Sequence, residues 1–267
     1  MASINTNANA MSGLRMLNMT QSSLSKTQNA LETGLRVSSA KDAPATFVIA
    51  QGMRSDIGAL GAIGEGIAFG EATIGVAMAG ATEILKQLTE LETLATQAQN
   101  GGLDDAILTA QADQVLAQIT AITAGSEFNG VNLINNAGTD VLTVPTDLAG
   151  SSMTYTATNL DATTLALTTD FSSGANITTA LGNITAAQTT VGNALTAIGT
   201  FASRLESQGE FTQLLTDTMK EGLGVLVDAD MAAVAAELTA LQTKEQLNIQ
   251  SLSIANQAPQ SIMALFR

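Results

Sequence analysis

A chain of 267 residues that is 45% hydrophobic but only 3% aromatic, with no tryptophan, draws its apolar set mostly from Ala, Leu, Ile and Met, which suits closely packed helices better than a β-sandwich. Having neither cysteine nor histidine, it can form no disulfide, no thiolate or imidazole metal site and no His-dependent triad, so enzyme chemistry would have to rest on carboxylates, Lys, Ser or Thr; no catalytic, cofactor or metal residue is singled out. A net charge of −14 argues against nucleic acid as a partner, because affinity for phosphates rests on clustered Lys and Arg.

The opening residues MASINTNANAMSGLR have no basic region followed by an apolar run, so they do not read as a cleavable secretory signal. Ala10, Leu17, Leu24 and Leu31 then recur every seven residues like the d positions of a coiled coil, and Leu14, Gln21, Gln28 and Leu35 take the matching a positions. TGLRVSSAKDAPATF, residues 33–47, breaks that pattern and reads as a connector, with Asp42 or Ser39 as a cap and Pro44 near the first turn of the next helix. Residues 45–100 contain no proline and predict a helical rod of roughly 80 Å. Seven glycines between 58 and 80 fall inside it, each costing a helix about 1 kcal/mol, so close backbone packing is expected there. Glu65, Glu71 and Glu83 interrupt the most apolar stretch, which is therefore not read as a membrane span.

A second helix is predicted over 103–125, with Asp104 and Asp105 in its first turn. EFNGVNLI follows, and Asn129-Gly130 between β-prone residues predicts a tight hairpin. Residues 138–174 are Thr-rich and alternating, and read as a small β-rich insert; helical pattern returns over 177–226. The final segment places Met231, Val234, Leu238, Leu241, Leu252, Ala255 and Ile262 on heptad positions, interrupted by Glu245 and Asn248. Residues 1–43 and 222–267 cancel in charge, so residues 44–221 carry the whole −14. The expected fold class is mainly α: long antiparallel helices and a terminal coiled coil, with a β-hairpin and a small β-rich insert. A carboxylate enzyme such as a glycosidase is a weaker reading, because one sign of charge along helices is usually a solvated face.

MASINTNANAM, SAKDAPA, SEFNGVNLI and SIANQAPQSIMALFR, in this order, resemble the bacterial flagellins. The resemblance covers nearly everything outside residues 138–174. It implies a subunit that self-assembles into a helical filament for swimming, secreted through type III export and extracellular. Its terminal helices would be disordered in the monomer and buried on polymerisation. It also implies five segments: 1–43 an inner N-terminal helix with connector, 44–137 and 175–226 an outer core, 138–174 a surface insert, and 227–267 an inner C-terminal helix.

The expected self-assembly residues are Ile4, Leu14, Leu17, Leu24, Leu31, Leu35, Leu238, Leu241, Leu252, Ile254, Ile262, Leu265 and Phe266. The implied partners are further copies of identical or similar flagellins, hook-associated junction and cap proteins, the export apparatus and a flagellin chaperone. An adaptor at the hook and filament junction is the alternative. The chain departs from members sensed by the animal innate receptor at Glu90, Glu92 and Gln111.

Overall fold

Five helices and two two-stranded antiparallel sheets make up the residues described by the computed structural model, which are 7–101, 104–135 and 140–264. In chain order they are α1 (Ala8–Thr33), α2 (Pro44–Gln99), α3 (Asp105–Gly125), β1 (Glu127–Phe128), β2 (Val131–Asn132), β3 (Val141–Pro145), β4 (Ser152–Thr156), α4 (Gly174–Val227) and α5 (Met231–Ala264). The fold is mainly α, as the composition predicts. Contacts divide it into a terminal unit, Met1–Ser55 with Thr218–Arg267, and a central unit, Asp56–Asp217.

In the central unit, the buried positions of α2 advance by alternate steps of three and four from Leu60 through Ile63, Ile67, Gly70, Ile74, Ala77, Ala81, Ile84, Leu88, Leu91 and Ala95 to Ala98. On α4 the same spacing runs from Ile177 to Leu205, and from Ile177 to Ala194 it alternates large with small, as in Ile184 and Ala187, then Val191 and Ala194. Such an alternation lets two backbones approach while the large side chains interdigitate. The two helices run antiparallel: Gln188 Nε2 donates to Glu92 Oε2 at 2.7 Å, while Gly209 lies against Ile67. α2 is long and apolar enough by composition to cross a membrane. Here its buried seam is covered by protein.

The glycines of α2 do not break it. A Cβ at Gly70 would lie 2.7 Å from Val144 Cγ2, and one at Gly66 would lie 3.4 Å from Pro145, so these two positions seat the β3–β4 hairpin on the helix. Gly80 makes room for Ser126 and Ile134 in the same way. Gly58, Gly61, Gly64 and Gly75 have nothing within 4 Å, and close packing does not account for them.

The hairpin predicted at EFNGVNLI forms, with Asn129 at φ 49° and Gly130 at φ 83° supplying the left-handed pair that a two-residue turn requires. In β3–β4, Val141 pairs with Thr156 and Pro145 with Ser152, and the Asp147 carboxylate closes the loop by accepting from the N–H groups of Ala149 and Ser151. Leu142, Val144 and Tyr155 turn inward, and the Tyr155 ring lies 5.4 Å from that of Phe201. Beyond β4, the N–H groups of Thr158 and Leu160 donate to the carbonyls of Leu133 and Ile134, and Leu160 and Phe171 are fully buried. The β-rich segment thus shares the core of the central unit.

In the terminal unit α1 ends at Gly34, whose φ of 71° is the left-handed cap that glycine adopts without strain. The chain then bonds antiparallel to the turn between α4 and α5: Arg36 N donates to Val227 O at 2.7 Å, and Ala229 N donates to Gly34 O at 2.9 Å. Val37, Ala50 and Val227 form a small buried cluster, covered by Leu35, Ala43, Phe47, Leu223 and Leu226. Asp42 turns the connector, accepting from Ser39 N, Ser39 Oγ and Ser38 Oγ, which holds its carboxyl below the usual range.

Candidate functional site

α1 and α5 pair antiparallel along their length. The α5 seam is Val234, Leu238, Leu241, Glu245, Asn248, Leu252 and Ala255, the heptad spacing read from the sequence, and every member is only half-buried. On α1, Ala10, Leu17, Leu24 and Leu31 are likewise half-buried, but their companions are Gly13, Thr20 and Thr27 rather than Leu14, Gln21 and Gln28. Thr20 and Thr27 are the buried residues of this helix. The leucines are therefore a positions with small residues at d, a phase that hydrophobicity alone hides because Gly and Thr score as neutral.

Polar groups set the register of the pair. Asn248 Nδ2 donates to Thr20 Oγ1 at 2.8 Å, and Gln21 Nε2 donates to Glu245 Oε1 at 3.3 Å. Asn7 does two things: its Oδ1 accepts from Ala10 N and caps α1, while its Nδ2 donates to Ala255 O at 2.8 Å. At the next turn a Cβ on Gly13 would meet Leu252 Cδ1 at 3.3 Å, so the small residue admits the leucine.

Outside the seam both helices display large apolar side chains. Leu14 is 50% exposed, Met19 69% and Ile254 69%, with Met11, Met16, Leu247 and Ile249 also open. Val48 and Ile49 at the start of α2, and Val225 near the end of α4, are exposed in the same unit. Scattered exposed aliphatics are ordinary, whereas this density on one two-helix element marks an interaction surface. Of the expected residues, Leu14 and Ile254 are exposed and Leu35 lies on the buried cluster; Leu17, Leu24, Leu31, Leu238, Leu241 and Leu252 are half-buried on the seams of α1 and α5. Ile4, Leu265 and Phe266 lie outside the described residues, as does the side chain of Ile262. The exposed methionines and the Val48-Ile49 step were not anticipated. Met11, Met16 and Met19 sit off the heptad of α1, and that is the signal that marks them as unneeded within the chain, whereas Met231, placed on a heptad position by the sequence, is 44% exposed.

Charge divides sharply between the units. The terminal unit has eight basic and seven acidic residues, the central unit two basic and seventeen acidic. The displaced carboxylates, Asp42, Glu83, Asp147, Asp161 and Asp170, are all displaced downward. In the aspartates the cause is hydrogen bonding from nearby Ser, Thr or Asn side chains and loop N–H groups, and in Glu83 it is Lys86. The four aspartates shape turns and loops, while Glu83 pairs with Lys86 within α2.

Residues 4–139 match the family model of the bacterial flagellin N-terminal helical region, and residues 181–266 that of the C-terminal helical region. Flagellin FljM of Caulobacter vibrioides is 36% identical over 99% of this chain and 98% of its own, and a flagellin of Brucella melitensis is 33% identical over the whole of both. Among solved structures, Bacillus cereus flagellin superposes with a TM-score of 0.50 at 21% identity, covering 54% of this chain and 86% of that one. A protein assigned as flagellar hook-associated, from Vibrio parahaemolyticus, gives 0.60 at 16% identity, covering 70% and 99%. At those identities the two structures speak for the fold alone.

Proposed function

The chain belongs to the bacterial flagellins, a structural-protein family, and from that premise we propose that its terminal unit is the surface through which copies polymerise. The protein is a subunit of the flagellar filament, the propeller of swimming motility. One observation carries the proposal: α1 and α5 leave the leucines of their own seam half-buried while holding Met11, Leu14, Met19, Leu247 and Ile254 open to solvent. Burying each such side chain fully is worth about 1.5–3 kcal/mol, and a filament offers neighbours to do it.

The pair is a marginal structure by itself. Its seam contains Glu245, Asn248, Thr20 and Thr27, so little apolar area offsets the ordering of two helices. The ends are therefore disordered in the monomer, a state suited to secretion through a narrow type III channel with a flagellin chaperone, and they fold as each subunit joins the extracellular filament. Junction and cap proteins of the hook-associated class bound the polymer. Full-length relatives at 33–36% identity favour a filament subunit over a junction adaptor.

The test is polymerisation of the purified protein followed by electron microscopy, with Ile254→Asp beside the parent. The parent gives long filaments. The variant melts like the parent as a monomer and does not polymerise, because an unpaired charge would be buried at a cost of several kcal/mol. Limited proteolysis of dilute parent removes residues 1–40 and 228–267 and leaves the centre intact. Protected ends, or normal filaments from Ile254→Asp, would refute the proposal.

A further inference from the structure

The central unit holds seventeen acidic residues against two basic ones, Lys86 and Arg204. Lys86 is engaged within the chain, its Nζ 2.8 Å from Glu83 Oε2 one turn back on α2. Arg204 has no such neighbour. Three and four residues away on α4 stand Phe201, Thr200, Ser207 and Gln208, none of them acidic, and among the described residues no hydrogen bond or ion pair reaches its guanidinium. Its side chain is exposed in a shallow depression shared with Met153, Ser203 and Gln208. Gln208 is already committed, donating to Thr146 O at 2.9 Å.

We infer that Arg204 is the docking point for a carboxylate on the central unit of a second copy of this chain. The inference rests on the filament reading, in which identical copies are neighbours. Two central units brought side by side repel through their excess of fifteen negative charges each. The available relief that also fixes a geometry is an unspent guanidinium, whose planar fork donates two parallel hydrogen bonds to a carboxylate. The other cation cannot serve in the same way without giving up Glu83. Each copy carries the donor and a surplus of acceptors, so the contact is available to every subunit in the polymer.

Lys86 supplies the control, because Arg204→Gln and Lys86→Gln change net charge by the same amount. Polymer is assembled from each variant and the parent at one salt concentration, and the critical concentration is read by sedimentation. Arg204→Gln raises it roughly tenfold, whereas Lys86→Gln changes it by less than about twofold. Monomer melting of Arg204→Gln matches the parent. Equal shifts in the two variants would mean that net charge alone matters and would overturn the assignment, as would an unchanged critical concentration in Arg204→Gln. A lowered melting point would place the role of Arg204 inside the chain and overturn it as well. Failure of the parent itself to polymerise overturns the filament reading, an outcome distinct from all of these.

Discussion

Gly75 and Gly80 lie five residues apart on α2, and the alanine variant of the first should be stabilised while that of the second is neutral or destabilised. Replacing glycine by alanine inside a helix gains about 1 kcal/mol from the backbone, whatever the surroundings. At Gly75 nothing lies within 4 Å of the new Cβ, so the gain stands. At Gly80 the methyl would collide with Ser126 Oγ and lie 2.7 Å from Ile134 Cδ1. Neither neighbour retreats freely, since Ile134 is fully buried and Ser126 Oγ donates to Ile122 O at 2.7 Å. Overpacking of this kind costs about 1–3 kcal/mol, which meets or exceeds the helical gain. The two variants should therefore differ by about 1–3 kcal/mol, a few degrees in melting temperature for a unit of this size. Scanning calorimetry of the monomers measures the difference directly. If Gly80→Ala is as stable as Gly75→Ala, the close approach of α2 to the 126–134 turn does not govern that glycine.

Two further outcomes follow from the hydrogen bonding. Asn7→Ala loses both the cap of α1 and the bond to Ala255, costing the α1–α5 pair about 1 kcal/mol, whereas Asn7→Asp keeps an acceptor for Ala10 N and loses only the donor. Amide exchange of α1 in assembled filaments should rank parent, Asp and Ala in falling order of protection, and equal protection in all three would remove the capping role. Asp147 is held below its ordinary value of 3.8 by the hydroxyl and N–H of Ser151 and by the N–H of Ala149. Because its folded pKa is depressed, the stability it contributes is complete above 3.8 and is lost as pH falls through the lower folded value. Melting of the central unit should hold steady from about pH 7 to 5 and fall below about pH 4, and Asp147→Asn should shallow that fall. A variant with the parent's full acid sensitivity would exclude Asp147 as a contributor.

The helices were legible because turn chemistry and proline placement bound them: Pro44 opens α2, the Asp104 side chain caps α3, and Asn129-Gly130 forces the first hairpin. The α5 seam was legible for a similar reason, since leucines at 238, 241 and 252 stand out against polar neighbours. The seams of α2 and α4 were not. Their heptads contain Gly70, Ala77, Ala81, Ala180 and Ala187, and small residues also fill the outer faces, so the pattern looks flat although the burial is regular. The phase of α1 misled in the opposite sense: Leu14 has the stronger hydrophobic signal, yet Thr20 and Thr27 are the buried residues because their hydroxyls satisfy Met16 and Ser23 carbonyls and need no water. Exposure of the methionines could be foreseen only by asking which apolar residues the heptad leaves over. The isolation of Arg204 required knowing that Lys86 was already taken.

The chain has one tyrosine and no tryptophan, and Tyr155 lies in the central unit against Phe201. Nearly all of its near-ultraviolet signal therefore originates in that one ring, while the terminal unit is almost dark at those wavelengths. Far-ultraviolet ellipticity, by contrast, counts the helix of both units. Recorded together during assembly or heating, the two traces act as separate channels: a change in ellipticity at constant tyrosine emission reports the terminal helices alone, without a label, a tag or a substitution.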